Sequence, residues 1–453
     1  MTEAERSRNS SSTGSDRQNR RVTDTEPVTE QQPPGVGLGT GLFPDTATAD
    51  AGSLSIGGLA ASDLVREFGS PLVVYDEATV RARARAYRTA APEAFIAYGT
   101  KAFPNVAILR LLAEEGIGAD VSTLGELRFA QAAGISGDRL VVHGNNKSDE
   151  ELAAAAKLDA LVVVDSLEEI ARVREAGVTR TLIRFTPGIE ANTHTAIRTA
   201  HHGSKFGLPA NDVIDALKQA QDTDGLHVHI GSQLLDLDAA LQTVDWLATF
   251  AARARSETGW YPRTIDLGGG LGERTAPDEP ELSIEQFVGS VLGELERSFT
   301  LQQLPAPRVI LEPGRSLVAR AGVTLYTVGS VKRVASATTY VAVDGGMSDN
   351  PRPALYGARY TALLANRVDE PATDVYAVAG KHCESGDVLI ERVDLPEPHR
   401  GDILAVPVTG AYTLAMSSSY NAVPRPAAVL VADGKVRIIR KRETIDDLLA
   451  LEG

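Results

Sequence analysis

The sequence predicts a (β/α)8 barrel joined to a C-terminal β-rich domain and preceded by a disordered N-terminal tail. Three observations lead there. Eight short apolar runs alternate with stretches of helical spacing, the texture turns all-β after Ala319, and the first 48 residues lack apolar periodicity. The expected boundaries are a tail over 1–48, a barrel over 77–318, and a β-rich domain assembled from 49–76 and 319–453.

The tail is rich in Ser, Thr, Gln, Pro and Gly and contains no Lys, a composition that buries too little apolar surface to order itself. Arg20-Arg21 is not read as an export signal, because no apolar stretch follows it. Ser53-Leu-Ser-Ile-Gly57 and Pro71-Leu-Val-Val-Tyr-Asp76 read as short strands flanking a helix that contains Leu64, Val65 and Phe68. The early strands near Ile56 are expected to pair with the C-terminal domain.

The eight runs are Phe95 to Thr100, Gly118 to Ser122, Leu140 to Gly144, Leu161 to Ser166, Leu182 to Pro187, Leu226 to Ser232, Ile265 to Gly270 and Val309 to Gly314. An open doubly wound sheet alternates in the same way, and the strand ends decide between the two. They carry Lys101, Asp120, His143, Asp165, Arg184, His229, Gly268 to Gly270, and Glu312 to Arg315, and in a closed barrel all of these share the rim where active sites are built. After Ala319 the β-branched runs are Val323 to Val334, Thr339 to Asp344, Thr373 to Ala379, Asp402 to Val406 and Ala427 to Val431, and Thr444 to Leu451 reads as a short acidic helix.

Composition narrows the function. A net charge of -15 argues against nucleic acid or an anionic membrane as the main partner. No apolar run reaches the length of a membrane span. The single cysteine, Cys383, excludes an intramolecular disulfide and fits a reducing cytoplasm.

The chemistry starts from Phe95-Ile-Ala-Tyr-Gly-Thr-Lys101, an apolar strand that delivers one lysine at its end. Alone, such a lysine is ordinarily a solvated charge. Gly268-Gly-Gly270 changes its setting, because consecutive glycines let backbone N–H groups approach a phosphate. Glu312-Pro-Gly-Arg-Ser316 adds a second glycine turn, a carboxylate and a guanidinium. A phosphate anchor, an amine and a carboxylate on one rim are what pyridoxal phosphate requires. His227 and His229 alternate on their strand and point to one face; no further ligand follows in register, so a metal is not expected. The polar neighbours of Cys383, and the Gly-Asp turn after it, make it a loop thiol rather than a core one.

With these residues assembled, the sequence resembles the fold-type III pyridoxal phosphate decarboxylases, and among them the branch acting on diaminopimelate. The matching segments include Tyr98-Gly-Thr-Lys-Ala102, Asp120-Val-Ser, His143-Gly-Asn-Asn-Lys-Ser148, Ser204-Lys-Phe-Gly207, His227-Val-His-Ile-Gly-Ser-Gln233, Gly268-Gly-Gly-Leu-Gly272, Glu312-Pro-Gly-Arg315, Asp344-Gly-Gly-Met-Ser-Asp349, Arg352-Pro-Ala-Leu-Tyr-Gly357, Cys383-Glu-Ser-Gly-Asp387 and Thr409-Gly-Ala-Tyr412. They run in order from about Leu54 to Val431.

The resemblance implies that Lys101 holds the cofactor covalently, with Asp120 among the residues binding it, and that His229 stacks on its ring. Glu312 would keep the ring nitrogen protonated. Ser232, Gly268, Gly269, Gly270, Pro313, Gly314, Arg315 and Tyr412 would complete the cofactor site. Arg315, Arg352, Tyr356 and Tyr412 would take substrate carboxylates, with Glu384 on an amino group and Ser385 beside it. Cys383 would donate the proton, reaching in from a second subunit, so a homodimer with shared active sites is implied. The implied reaction is decarboxylation of meso-2,6-diaminopimelate to L-lysine. The same fold also serves decarboxylases of ornithine, lysine or a secondary-metabolite intermediate, amino-acid racemases and non-enzymatic cofactor carriers. The tail, and Thr195 to His202 ahead of Ser204, depart from the family pattern.

Overall fold

The computed structural model describes residues 37–187, 204–229, 231–334 and 338–452. The expected disorder over 1–36, and the unusual stretch Thr195 to His202, lie outside these residues.

Eight parallel strands close into a barrel: β1 (Phe95–Gly99), β2 (Gly118–Val121), β3 (Leu140–Val142), β4 (Leu161–Val164), β5 (Thr181–Arg184), β6 (Gly225–His227), β7 (Thr264–Asp266) and β8 (Arg308–Leu311). They pair in sequence order, and β8 closes on β1 through Ile310 opposite Phe95 and Leu311 opposite Ile96. All eight expected runs are strands, each trimmed at its C-terminal end, because the polar and glycine residues there leave the ladder and turn into the rim. Ala97, Val141, Leu161, Val163, Leu182 and Ile310 fill the barrel interior. Helices start where caps supply acceptors for orphan N–H groups: Asp76 for Glu77–Ala90, Asn105 for Val106–Glu114, and capping boxes at Ser148 and Ser283.

The β-rich region is organised by the long strand Gly322–Arg333. Leu72–Asp76, wholly buried, lies beside it antiparallel and pairs on its other edge, in parallel, with Ala427–Ala432. A segment preceding the barrel is thus an interior strand of a sheet made mostly of residues that follow it. The strand Ser53–Ile56 behaves differently from expectation. It pairs with Thr48–Asp50 and Leu59–Ala60 in a small sheet of its own, while Leu54 and Ile56 pack into the core that includes Leu72, Val74 and Val323. Strands Val388–Leu395 and Lys435–Arg440 are not expected from the sequence, because charged residues interrupt their apolar pattern. The closing helix is Ile445–Leu449, capped by Thr444.

A tail reaching residue 48 is too long. Leu42 and Phe43 are buried, Arg320 pairs with Asp45, and the Asp45 N–H donates to Thr79. Two adjacent apolar residues are too short a signal to separate from the polar stretch around them.

Candidate active site

The barrel rim opens into a cavity of about 950 Å³ lined by residues from six of the eight strand ends and from the β-rich region. Lys101 enters it from the 3-10 turn Thr100–Ala102 that follows β1. Its side chain is half exposed to the cavity, with Nζ 3.3 Å from Asp120 Oδ2 at the end of β2. That carboxylate holds the lysine above its ordinary pKa, outweighing the opposing effect of burial. Pro313 fixes the end of β1, its carbonyl accepting the Gly99 N–H at 3.0 Å.

Glu312 leaves β8 into a buried polar cluster. Its Oε1 accepts from His143 Nε2 at 2.6 Å, and Oε2 lies 3.5 Å from His227 Nε2. Ligand atoms of His143, His227, Asp266 and Glu312 lie within 4.8 Å of one another, so metal-type donors do converge here, from four different strands. Expecting further donors only along the strand of His227 overlooked them. The carboxyls form a coupled pair. Burial opposes ionisation of both; His143 and His227 outweigh it at Glu312, whose pKa is held low, while burial and the neighbouring Glu312 push Asp266 up. Burial pushes His227 down to about 3, keeping it neutral, and also depresses His229, with Lys101 adding to the effect.

A narrower recess beside Lys101 is lined by Ser232, Gly269, Gly270, Gly314, Arg315 and Tyr412. At Gly269 an added Cβ would stand 2.3 Å from the Glu312 carbonyl oxygen, so only glycine lets the two turns approach this closely. Tyr412 adopts a positive φ of 58° and its hydroxyl sits over Gly314, while the Arg315 guanidinium lies 4.7 Å from the centre of its ring. Donors, glycine backbone and covalent-capable amine together fit pyridoxal phosphate: the recess suits its phosphate, Lys101 its aldehyde, and the ionised Glu312 its ring nitrogen.

Arg352 and Tyr356, on the short helix Arg352–Tyr356 of the β-rich region, line the same cavity. Arg315 is lowered to about 10 by burial and by Arg352, a guanidinium pair that calls for an anion. Cys383, Glu384 and Ser385 are not brought to this cavity. They lie on an exposed loop held by Asp387, which accepts from the His382 and Met347 N–H groups at 2.8 and 2.6 Å, and by Asn421, which accepts from the Cys383 N–H.

A family model described as the pyridoxal binding domain of pyridoxal-dependent decarboxylases matches residues 77–319. A diaminopimelate decarboxylase of Actinosynnema pretiosum subsp. auranticum is 44% identical over 430 residues, covering 92% of this chain and 96% of its own length. The chain belongs to the diaminopimelate decarboxylase family. The Bacillus subtilis (strain 168) member is 41% identical over 418 residues, with 88% of this chain and 95% of that one covered. The solved structure of the family member from M. jannaschii, in complex with L-lysine, matches with a TM-score of 0.84 at 32% identity, covering 91% of this chain and 98% of that one.

For a member of this family, several residues of the cavity and of the buried cluster around Glu312 have no part assigned by sequence reasoning. His143 and Arg184 stand at strand ends without a role, and Asp266 and Glu279 are not singled out. The signal for His143 and Asp266 is present, since each is a polar residue at the end of an apolar strand. Glu279 sits in a loop with no periodicity to place it.

Proposed function

We propose that this chain decarboxylates meso-2,6-diaminopimelate to L-lysine and CO2, the last step of lysine biosynthesis, with pyridoxal phosphate as cofactor and a homodimer as the working form. The observation carrying the substrate reading is the Arg315 and Arg352 pair in the cavity that holds Lys101. An amino acid with one carboxylate at the reacting end needs no second anion site, whereas diaminopimelate brings a distal one.

When bound, pyridoxal phosphate supplies the electron sink that accepts the charge left as the carboxylate departs. Lys101 would hold it at its aldehyde, and Asp120, 3.3 Å from Nζ, would steady the lysine ammonium whenever that hold is released. The glycine turns, Ser232, Arg315 and Tyr412 would hold the phosphate, His229 would lie against the ring, and Glu312 would favour a proton on the ring nitrogen. Cys383 returns a proton to the substrate carbon. No helix among the described residues is long and apolar enough to cross a membrane, and a lone thiol suits the reducing cytoplasm where we place the enzyme.

A substrate panel read by CO2 release tests the reaction. Turnover of diaminopimelate, and not of ornithine or lysine, is expected; the reverse pattern would sink the substrate assignment. Gly269→Ala should weaken cofactor affinity about tenfold or more, since overpacking a tight contact costs about 1–3 kcal/mol; a fluorescence titration matching wild type would show that the turn yields freely.

The dimer is supported by the placement of Cys383, Glu384 and Ser385 on an exposed loop outside the cavity of their own chain, and by the exposure of the neighbouring apolar residues Leu355 and Tyr356. Mixing two inactive variants, Lys101→Ala and Cys383→Ala, should restore roughly a quarter of wild-type activity, because random pairing of two-fold dimers rebuilds one intact site in half of them. No recovery after verified subunit exchange would place Cys383 outside a shared site.

A further inference from the structure

We propose that Lys147 is a positioning residue for the reaction: through a buried relay with Glu169 and Asp165 it fixes the turn that carries His143, and through His143 it holds Glu312 in place. This rests on the pyridoxal phosphate reading of the cavity above. His143 is held on its N-terminal side by the barrel ladder, its N–H donating to the Val121 carbonyl at 2.8 Å, and its ring donates to Glu312 at 2.6 Å. Past it the chain leaves β3, and Gly144 takes a positive φ of 125°. The Gly144 carbonyl is taken by Lys147 Nζ at 2.8 Å. The same Nζ donates to the Val163 carbonyl, near the end of β4, at 2.6 Å and to Glu169 Oε1, on the helix Leu167–Glu175, at 2.9 Å. An ammonium has three donors, and all three are used.

The relay continues from Glu169. Its Oε2 accepts the Asp165 N–H at 2.7 Å, and the Asp165 carboxylate accepts the Gly207 N–H at 2.6 and 3.2 Å. Gly207 has a φ of 71°, and a Cβ there would collide with Thr186 Oγ1, so only glycine fits this grip. Phe206, just before it, lines the cavity with the Arg184 guanidinium 4.5 Å from the centre of its ring. Two cavity-facing turns, at His143-Gly144 and at Phe206-Gly207, therefore hang on one chain of polar contacts. Lys147, Glu169 and Asp165 are all buried, and Lys147 does not itself line the cavity. Apolar side chains of the same volume stabilise a core about as well as a buried ion pair. What they cannot do is hold particular carbonyl and N–H groups at fixed angles, and the groups held here flank the cavity.

Removing Lys147 alone would strand the Glu169 charge, so the test variant combines Lys147→Met with Glu169→Gln, which removes both charges and keeps an acceptor for the Asp165 N–H. With meso-diaminopimelate, kcat should fall about 10- to 100-fold, the scale of a small misplacement at the reacting centre, while cofactor affinity stays near wild type because the phosphate recess is untouched. In a Glu312→Gln background the same two substitutions should cost nothing further, since the route through Glu312 is already cut. An equal loss in both backgrounds would make the relay a general support of the fold, and no loss in the wild-type background would overturn the proposal outright. A second readout needs no turnover. The nitrogen NMR shift of ring-labelled pyridoxal phosphate in the resting enzyme should move from the protonated toward the unprotonated value in the variant, and an unchanged shift would also overturn the proposal. A wild type that releases no CO2 from diaminopimelate would fault the substrate reading alone, and the ring-nitrogen shift would then decide for or against Lys147.

Discussion

Lys101→Ala is expected to lose the covalent hold on pyridoxal phosphate and at least about 10³-fold in kcat, the scale of losing a positioned amine together with its acid–base action. No other described lysine can take over. Lys147, the next lysine along the rim, is buried with Nζ donating to the Gly144 and Val163 carbonyls and to Glu169, and it does not line the cavity. Borohydride reduction followed by mass spectrometry should place the cofactor on Lys101 in wild type and on no residue in the variant; a labelled variant would refute the assignment. The Asp120 carboxylate raises the pKa of the lysine, so in the cofactor-free chain the amine is protonated at neutral pH. Attachment needs the neutral amine, and its rate should therefore climb as pH rises from about 7 to about 9.

Glu312→Gln is expected to retain cofactor while lowering kcat by about 10²-fold or more, within the range of a proton-holding group near the reacting centre. The reason lies in the buried cluster. Against the cost of burial, His143 and His227 hold the Glu312 pKa low and so favour its anion, while burial and Glu312 push Asp266 the other way. Glutamine preserves the volume and one hydrogen bond to His143 but offers no negative charge to a protonated ring nitrogen. Cofactor content measured by absorbance after denaturation, set beside kcat, separates the two effects. Wild-type turnover with full occupancy would mean that the ring nitrogen has no need of an anion here, whereas loss of both together would make Glu312 chiefly a binding residue.

Much of this site is legible in the chain, and the limits are physical. The eight barrel strands are readable because a parallel strand buried on both faces is a near-continuous apolar run, and the residue that ends each run is the one at the rim. Lys101, Glu312 and the glycines of 268 to 270 can be gathered from the order of residues alone, since the topology brings every strand end to one face. The bond between His143 and Glu312 cannot. It joins β3 to β8 across the rim, and a hydrogen bond of 2.6 Å depends on strand tilt and rotamer rather than on spacing along the chain. Leu42 and Phe43 escape for a related reason, being two apolar residues whose burial is decided wholly by the surface they meet.

The amino-acid sequence by itself determined the architecture and the family, because periodicity and residue type are local properties written along the chain. Tertiary structure alone decided three things. It threaded Leu72–Asp76 into a sheet formed mainly by residues after the barrel, and it brought Arg352, from the β-rich region, to the cavity that holds Lys101. It also left Cys383 on an exposed loop outside that cavity. Each depends on distances between segments far apart in the chain, which only the packing of one buried surface against another can fix.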